Sequence, residues 1–219
     1  MSFKQDTEYG VICSEFTSSL LSELCESKNG IQTGPFGSQL HNKDYVEKGT
    51  PIITVEHLND NRITMQNMPF VSDDDKDRLS KYCMKTGDII FSRVGSVDRR
   101  ALVRKREDGW LFSGRCLRVR PLQEKIDSAY LSYFFGLETF KEHIRRIAVG
   151  ATMPSINTKI LSNVKIYYPG LAEQKAIARV LTSLDEKIEI NNQINITLEN
   201  MAQAIFKQWF VDFEFPNED

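Results

Sequence analysis

The side chains with the greatest capacity for chemistry in this chain are arginines. From Phe91 to Arg120 there are nine positive residues (Arg93, Arg99, Arg100, Arg104, Lys105, Arg106, Arg115, Arg118 and Arg120) against three negative ones, Asp98, Glu107 and Asp108. The segment carries +6, so the remainder carries −8 beneath a formal total of −2. Guanidinium groups pair bidentately with phosphates and with guanine O6 and N7. The segment therefore suits a nucleic acid, although the same charges could line a solvated strand face. The near-neutral total excludes a general polycation, so any such binding must be local.

Catalytic groups are sparse. His41, His57 and His143 lack metal-ligand spacing and are expected to be structural or exposed. There is no P-loop, no dinucleotide Gly-x-Gly-x-x-Gly and no Gly-x-Ser-x-Gly elbow. Glu173-Gln-Lys175 and Asp185-Glu-Lys187 imitate the acidic-x-Lys element of Mg-dependent nucleases. On a helix, however, positions i and i+2 face different ways. A methyltransferase would need a Gly-rich cofactor loop and an Asn/Asp-Pro-Pro-aromatic element, and the chain has neither. Cys13, Cys25, Cys83 and Cys116 form no Cys-x-x-Cys pair, so buried thiols are expected rather than a zinc site. The expectation is a binding protein with no catalytic residue, no metal and no cofactor of its own.

The elements around these residues read as mixed. Thr17–Lys28 has the pattern of a short amphipathic helix closed by Asn29-Gly30. Thr50–Val55 reads as a strand, and Ser72 as the N-cap of a helix running to about Tyr82. Strands are expected at Asp88–Ser92, Arg100–Lys105 and Trp110–Val119. Asp127-Ser128 should cap a helix to about Ile147, with Tyr130, Leu131, Phe134, Phe135, Leu137 and Ile144 as its apolar face. A loop at Gly150–Asn157, a short helix and a strand at Val164–Tyr168 complete this region.

Beyond Pro169-Gly170 the pattern changes. Leu171 to Asp212 contains neither Gly nor Pro, which predicts one helix roughly 63 Å long at about 1.5 Å per residue. Leu181, Leu184, Ile188, Asn191, Asn195, Leu198, Ala202, Ile205 and Trp209 recur at 3,4 spacing, a heptad seam with two polar members. Ile177, Ile194, Met201 and Phe206 widen it. So long a seam asks for a partner helix. With 4 positive against 9 negative residues from Leu171 to Asp219, the helix is unsuited to lying along DNA. No run of 18 apolar residues occurs and Met1–Gly10 lacks an apolar h-region, so no membrane span is expected and the expected compartment is the cytoplasm.

Several blocks then follow in order. They are Thr33-Gly-Pro-Phe-Gly-Ser38, Asp44-Tyr45, Gly49-Thr-Pro-Ile-Ile53, Gly87-Asp-Ile-Ile-Phe-Ser-Arg93 with Gly95-Ser96, and Gly150-Ala-Thr-Met-Pro-Ser-Ile-Asn157. After them come Leu171-Ala-Glu-Gln-Lys175, Leu184-Asp-Glu-Lys-Ile188 and Phe206-Lys-Gln-Trp-Phe-Val-Asp-Phe213. Together they resemble the specificity subunit of type I restriction–modification systems. The resemblance implies an α+β chain: a target recognition domain over 1–169, then a long helix and tail over 170–219 that forms an antiparallel coiled coil. It implies double-stranded DNA as ligand, read as half of a bipartite gapped site. It also implies a methyltransferase subunit using S-adenosylmethionine and a restriction/translocase subunit using ATP and Mg as partners. Family members carry two recognition domains and two helices, whereas this chain has one of each. A natural half-size subunit and a piece of a longer one both fit.

The expected DNA-facing residues are Lys43, Arg93, Ser96, Arg99, Arg100, Arg104, Arg115, Arg118, Thr152, Ser155 and Asn157, with the Gly34–Ser38 loop. The expected homodimer seam is Leu181, Leu184, Ile188, Asn191, Asn195, Leu198, Ile205 and Trp209. Two other functions compete with DNA recognition: a modulatory half subunit that binds the methyltransferase with little DNA affinity, and a stand-alone Mg-dependent nuclease.

Overall fold

A computed structural model of the chain describes residues 4–13, 15–37 and 39–215. Ser38 of the expected loop and residues 216–219 of the expected tail lie outside the described residues.

A small antiparallel hairpin, β1 (Lys4–Thr7) with β2 (Gly10–Cys13), comes first. The helix expected over Thr17–Lys28 is instead strand β3 (Thr17–Leu20) followed by a 3-10 turn, Leu21–Leu24. Thr17-Ser18-Ser19 has weak helix propensity, and tertiary pairing decides the outcome. β3 lies antiparallel to a strand more than 140 residues further on, Thr17 opposite Tyr168. β4 (Ile31–Thr33), β5 (Tyr45–Val46), β6 (Thr50–Ile53), the hairpin β7 (Leu58–Asn59) with β8 (Arg62–Ile63), and β9 (Phe70–Val71) follow. Ser72 caps α1 (Asp73–Arg78) by accepting the Asp75 N–H, and a separate 3-10 turn carries the chain to Tyr82.

The Arg-rich segment supplies β10 (Ile89–Ser92), β11 (Arg100–Leu102), β12 (Leu111–Phe112) and β13 (Cys116–Val119). A turn at Ser113–Arg115 divides the expected strand Trp110–Val119 in two. The expected helix Asp127–Ile147 is likewise two, α2 (Ser128–Phe134) and α3 (Glu138–Ile147). The break falls at Gly136, where an added Cβ would lie 2.1 Å from Arg100 Nη2. Leu137, expected on the apolar face, is exposed at this break. α4 (Thr158–Ser162), β14 (Lys165–Tyr168) and the long α5 (Leu171–Phe206) complete the chain, with one turn of π-helix over Lys207–Val211.

Two four-stranded sheets dominate, with strand orders β11-β10-β13-β4 and β12-β6-β9-β5. The first is covered on both faces. Ile89, Phe91, Leu117 and Val119 join a core with Leu131 of α2, Phe135 directly after it, and Phe140 and Ile144 of α3. Ile90, Ala101 and Cys116 join a second core with Ile52, Ile53, Leu111 and Phe112 of the other sheet. Two-sided burial explains why Ile89-Ile90-Phe91 is a continuous apolar run rather than an alternating one. Cys25 and Cys116 sit inside these cores, and burial pushes both thiols up to about 12.

The start of α5 belongs to the first body. Gln174 is buried, donates to the Pro169 carbonyl at 2.9 Å and accepts the Asp127 N–H at 2.9 Å. Ala178 joins the helical core. Contacts therefore divide the chain at Ala178 and Arg179, not at Pro169 where the sequence changes character. Beyond that point Leu184, Ile188, Ile194, Leu198, Met201 and Ile205 are all exposed.

Candidate nucleic-acid interface

Four of the expected residues come together around one open cavity of about 620 Å³. Arg93, Ser96, Arg99 and Arg115 line it with Pro35, Phe36 and Gly37, with Tyr45 of β5, and with Thr54, Val55 and Glu56 just after β6. Its walls are held by backbone. The Gly34 N–H donates to the Cys116 carbonyl, and the Arg93 N–H to that of Arg115. Two glycines allow the loops to meet. A Cβ on Gly34 would lie 2.2 Å from the Ser113 carbonyl oxygen, and one on Gly114 would lie 2.4 Å from that of Pro35. No other residue fits either place, so the 34–37 and 113–115 loops are locked together.

Arg93 donates to the Gly114 carbonyl at 3.0 Å and sits 5.1 Å from the Phe36 ring centroid, a cation–π contact. Phe36 is itself 52% exposed. Arg99 and Arg115 are exposed, and among the described residues neither they nor Arg93 is held in an ion pair. The Gly150–Asn157 loop is stitched to the same wall. The Gly95 N–H donates to the Pro154 carbonyl and the Ile156 N–H to that of Arg93.

The remaining expected residues fall elsewhere. Arg118 is an interior residue, a correction to its placement on the DNA face. Its side chain donates to the carbonyls of Asn29, Lys81 and Cys83 and to Gln32 Oε1, at 2.6–3.3 Å, and lies against Phe112. Burial holds its guanidinium below the ordinary arginine range, neighbouring Arg120 acts in the same sense and Asp88 opposes both. Arg120 makes the paired contact with Asp88, two hydrogen bonds of 2.7 Å. Arg100 is also buried and donates to the Ser132 carbonyl. The strand register turns both side chains inward, which local charge density could not reveal.

Arg104 is half-buried and starts a 3-10 turn whose Glu107 accepts its N–H; it does not line the cavity. Lys43 and Thr152 are exposed but outside the cavity wall. Ser155 donates to the Val149 carbonyl, and Asn157 caps α4 by accepting the Ile160 N–H. Sequence reading missed Glu56 and Tyr45 as lining residues. The signal available for Glu56 was its position just after the β-branched strand that ends at Ile53.

Among the described residues no group of three or more His, Cys, Asp or Glu side chains could hold a metal ion. No helix among them is long and apolar enough to cross a membrane.

The comparison that decides the relationship is with protein families. Residues 14–200 match the type I restriction modification DNA specificity domain. The chain belongs to that family. It is 33% identical over 138 residues to the type I restriction enzyme HindI specificity subunit of Haemophilus influenzae, covering 62% of this chain and 30% of that one. It is 26% identical over 208 residues to the MjaVIII specificity subunit of Methanocaldococcus jannaschii, covering 93% of this chain and 47% of that one. Its fold is shared with a solved type I restriction–modification S subunit from M. genitalium, with TM-score 0.63 at 17% identity, over 91% of this chain and 46% of the other. The chain thus spans half or less of the specificity subunits it matches.

The placement of the arginines separates stability from surface chemistry. Arg118→Ala should destabilise the chain by about 3 kcal/mol, because it leaves buried carbonyls without donors and opens a cavity. Arg99→Ala should stay within about 0.5 kcal/mol of the parent. Urea denaturation followed by circular dichroism checks both. Equal midpoints for the two variants would contradict the interior assignment of Arg118.

Proposed function

We propose that this chain is a non-catalytic DNA-recognition subunit, reading one half of a bipartite gapped site in double-stranded DNA. The observation that carries this is the cavity at the Arg-rich segment. It has three arginines that no ion pair among the described residues holds, an exposed aromatic ring and loops locked by glycine close approach. Family membership supplies the class of ligand. Arginine in such a setting can reach phosphate or a guanine edge, while the locked loops set register. Recognition needs no cofactor in this chain. S-adenosylmethionine, ATP and Mg belong to the methyltransferase and restriction/translocase subunits that it would direct, in the cytoplasm.

The reading extends to assembly. The residues of α5 beyond Arg179 expose Leu184, Ile188, Leu198 and Ile205 along one seam, with Asn191 and Asn195 near the middle of the helix. A second copy of the chain, antiparallel about a twofold axis, would cover this seam. It would also bring the asparagines near their symmetry mates, where a buried polar pair fixes register at some loss of stability. Two recognition domains would then engage inverted half-sites separated by an unread spacer.

Two measurements test this. In a mobility-shift assay, DNA affinity should fall steeply with salt, and a variant of Arg99 or Arg115 that loses a phosphate contact should flatten the log–log slope by about one unit. Salt-independent binding, or slopes unchanged in both variants, would contradict the proposed face. Light scattering of the whole chain should give a dimer at tens of micromolar. Combined Ile188→Asp and Leu198→Asp should give a folded monomer. A parent chain that stays monomeric with the methyltransferase subunit present would contradict self-pairing.

A further inference from the structure

The cavity contains one residue that does not suit a polyanion. Glu56 lines it together with Arg93, Arg99 and Arg115. Among the described residues Glu56 is in no ion pair, so those arginines do not neutralise it. A carboxylate facing phosphate repels it. A carboxylate facing a base edge can instead accept a hydrogen bond.

Glu56 is also held in place. It sits in the 3-10 turn Val55–His57, directly after β6 and Thr54. His57 is fully buried beneath it. The His57 Nδ1 accepts the Thr54 N–H at 3.0 Å, which leaves Nε2–H to donate to the Gln66 carbonyl at 3.2 Å. The Thr54 hydroxyl donates to Glu56 Oε1 at 2.9 Å. The same hydroxyl lies 3.0 Å from His57 Nδ1, so its one proton is shared between ring and carboxylate, and Glu56, itself exposed, keeps acceptor capacity towards solvent. A rigid turn and a buried ring behind an exposed polar group are what a positioned reader needs.

We propose that Glu56 determines sequence specificity by accepting a hydrogen bond from the N4 amino group of a cytosine in the major groove of the half-site. Cytosine fits better than adenine. The adenine N6 amino group is flanked by two acceptors, its own N7 and the O4 of the paired thymine, whereas cytosine N4 has an acceptor on one side only, the O6 of its paired guanine, and C5–H on the other. The inference rests on the DNA-recognition reading above.

The test is selection from a randomised 40-base-pair duplex pool by the whole chain, alone and with the methyltransferase subunit, using the parent, Glu56→Gln and Glu56→Ala. Thermal melts check that each variant is folded. The parent should return a motif containing a fixed C·G pair that Glu56→Ala relaxes, with the other positions unchanged. Glu56→Gln should shift that position towards A·T, because glutamine pairs with adenine N6 and N7. Replacing the C·G pair should weaken the parent about 10- to 100-fold and Glu56→Ala less than about threefold. A parent motif that both variants reproduce overturns the role of Glu56 and leaves the recognition reading standing. So does a uniform tightening on all sequences, which would make Glu56 a brake on phosphate binding. No enriched motif for the parent under either condition overturns both.

Discussion

The central sheet is buried on both faces, and that constraint sorts the charges of the Arg-rich segment. Any charged side chain entering β10, β11 or β13 must find its hydrogen bonds inside the protein, because water reaches neither face. Arg118 meets this with three carbonyls and a glutamine, Arg100 with the carbonyl of Ser132, and Arg120 with the buried carboxylate of Asp88. At the end of the sheet away from Arg120, the arginines have no such obligation. Arg93, Arg99 and Arg115 emerge where the strands stop, beside loops that two glycines lock together. One sheet thus uses the same residue type as structural donor in its interior and as free cation at its rim.

This division explains what the sequence disclosed and what it hid. The buried strand Ile89–Ser92, the Asp127 cap and the long Gly- and Pro-free helix are local patterns, and they were legible as such. The concentration of arginine was equally plain, and so was the block order that resembles the specificity family. Which arginines point outward was not legible, because it depends on register against β4 and β10. The strand at Thr17–Leu20 was hidden for the same reason, since its partner lies at the far end of the domain. The split at Gly136 depends on Arg100 arriving from another element, which no window of local sequence contains.

The long helix follows a different logic. Its first two turns are anchored by Gln174 and Ala178, so part of the Leu171–Lys175 block serves the first body itself. After Arg179, Leu184, Ile188, Leu198 and Ile205 are exposed, and the proposed twofold partner would cover them. A chain that spans half or less of the relatives it matches would then present two recognition surfaces by symmetry.

Where DNA touches the protein is tested most directly by hydrogen exchange measured by mass spectrometry with and without a selected duplex. The account predicts slower exchange in peptides spanning 34–37, 54–57, 93–99 and 113–115, with α3 and β14 unchanged. Protection confined to α3, β14 or the helix beyond Arg179, with those four segments unaltered, would contradict it.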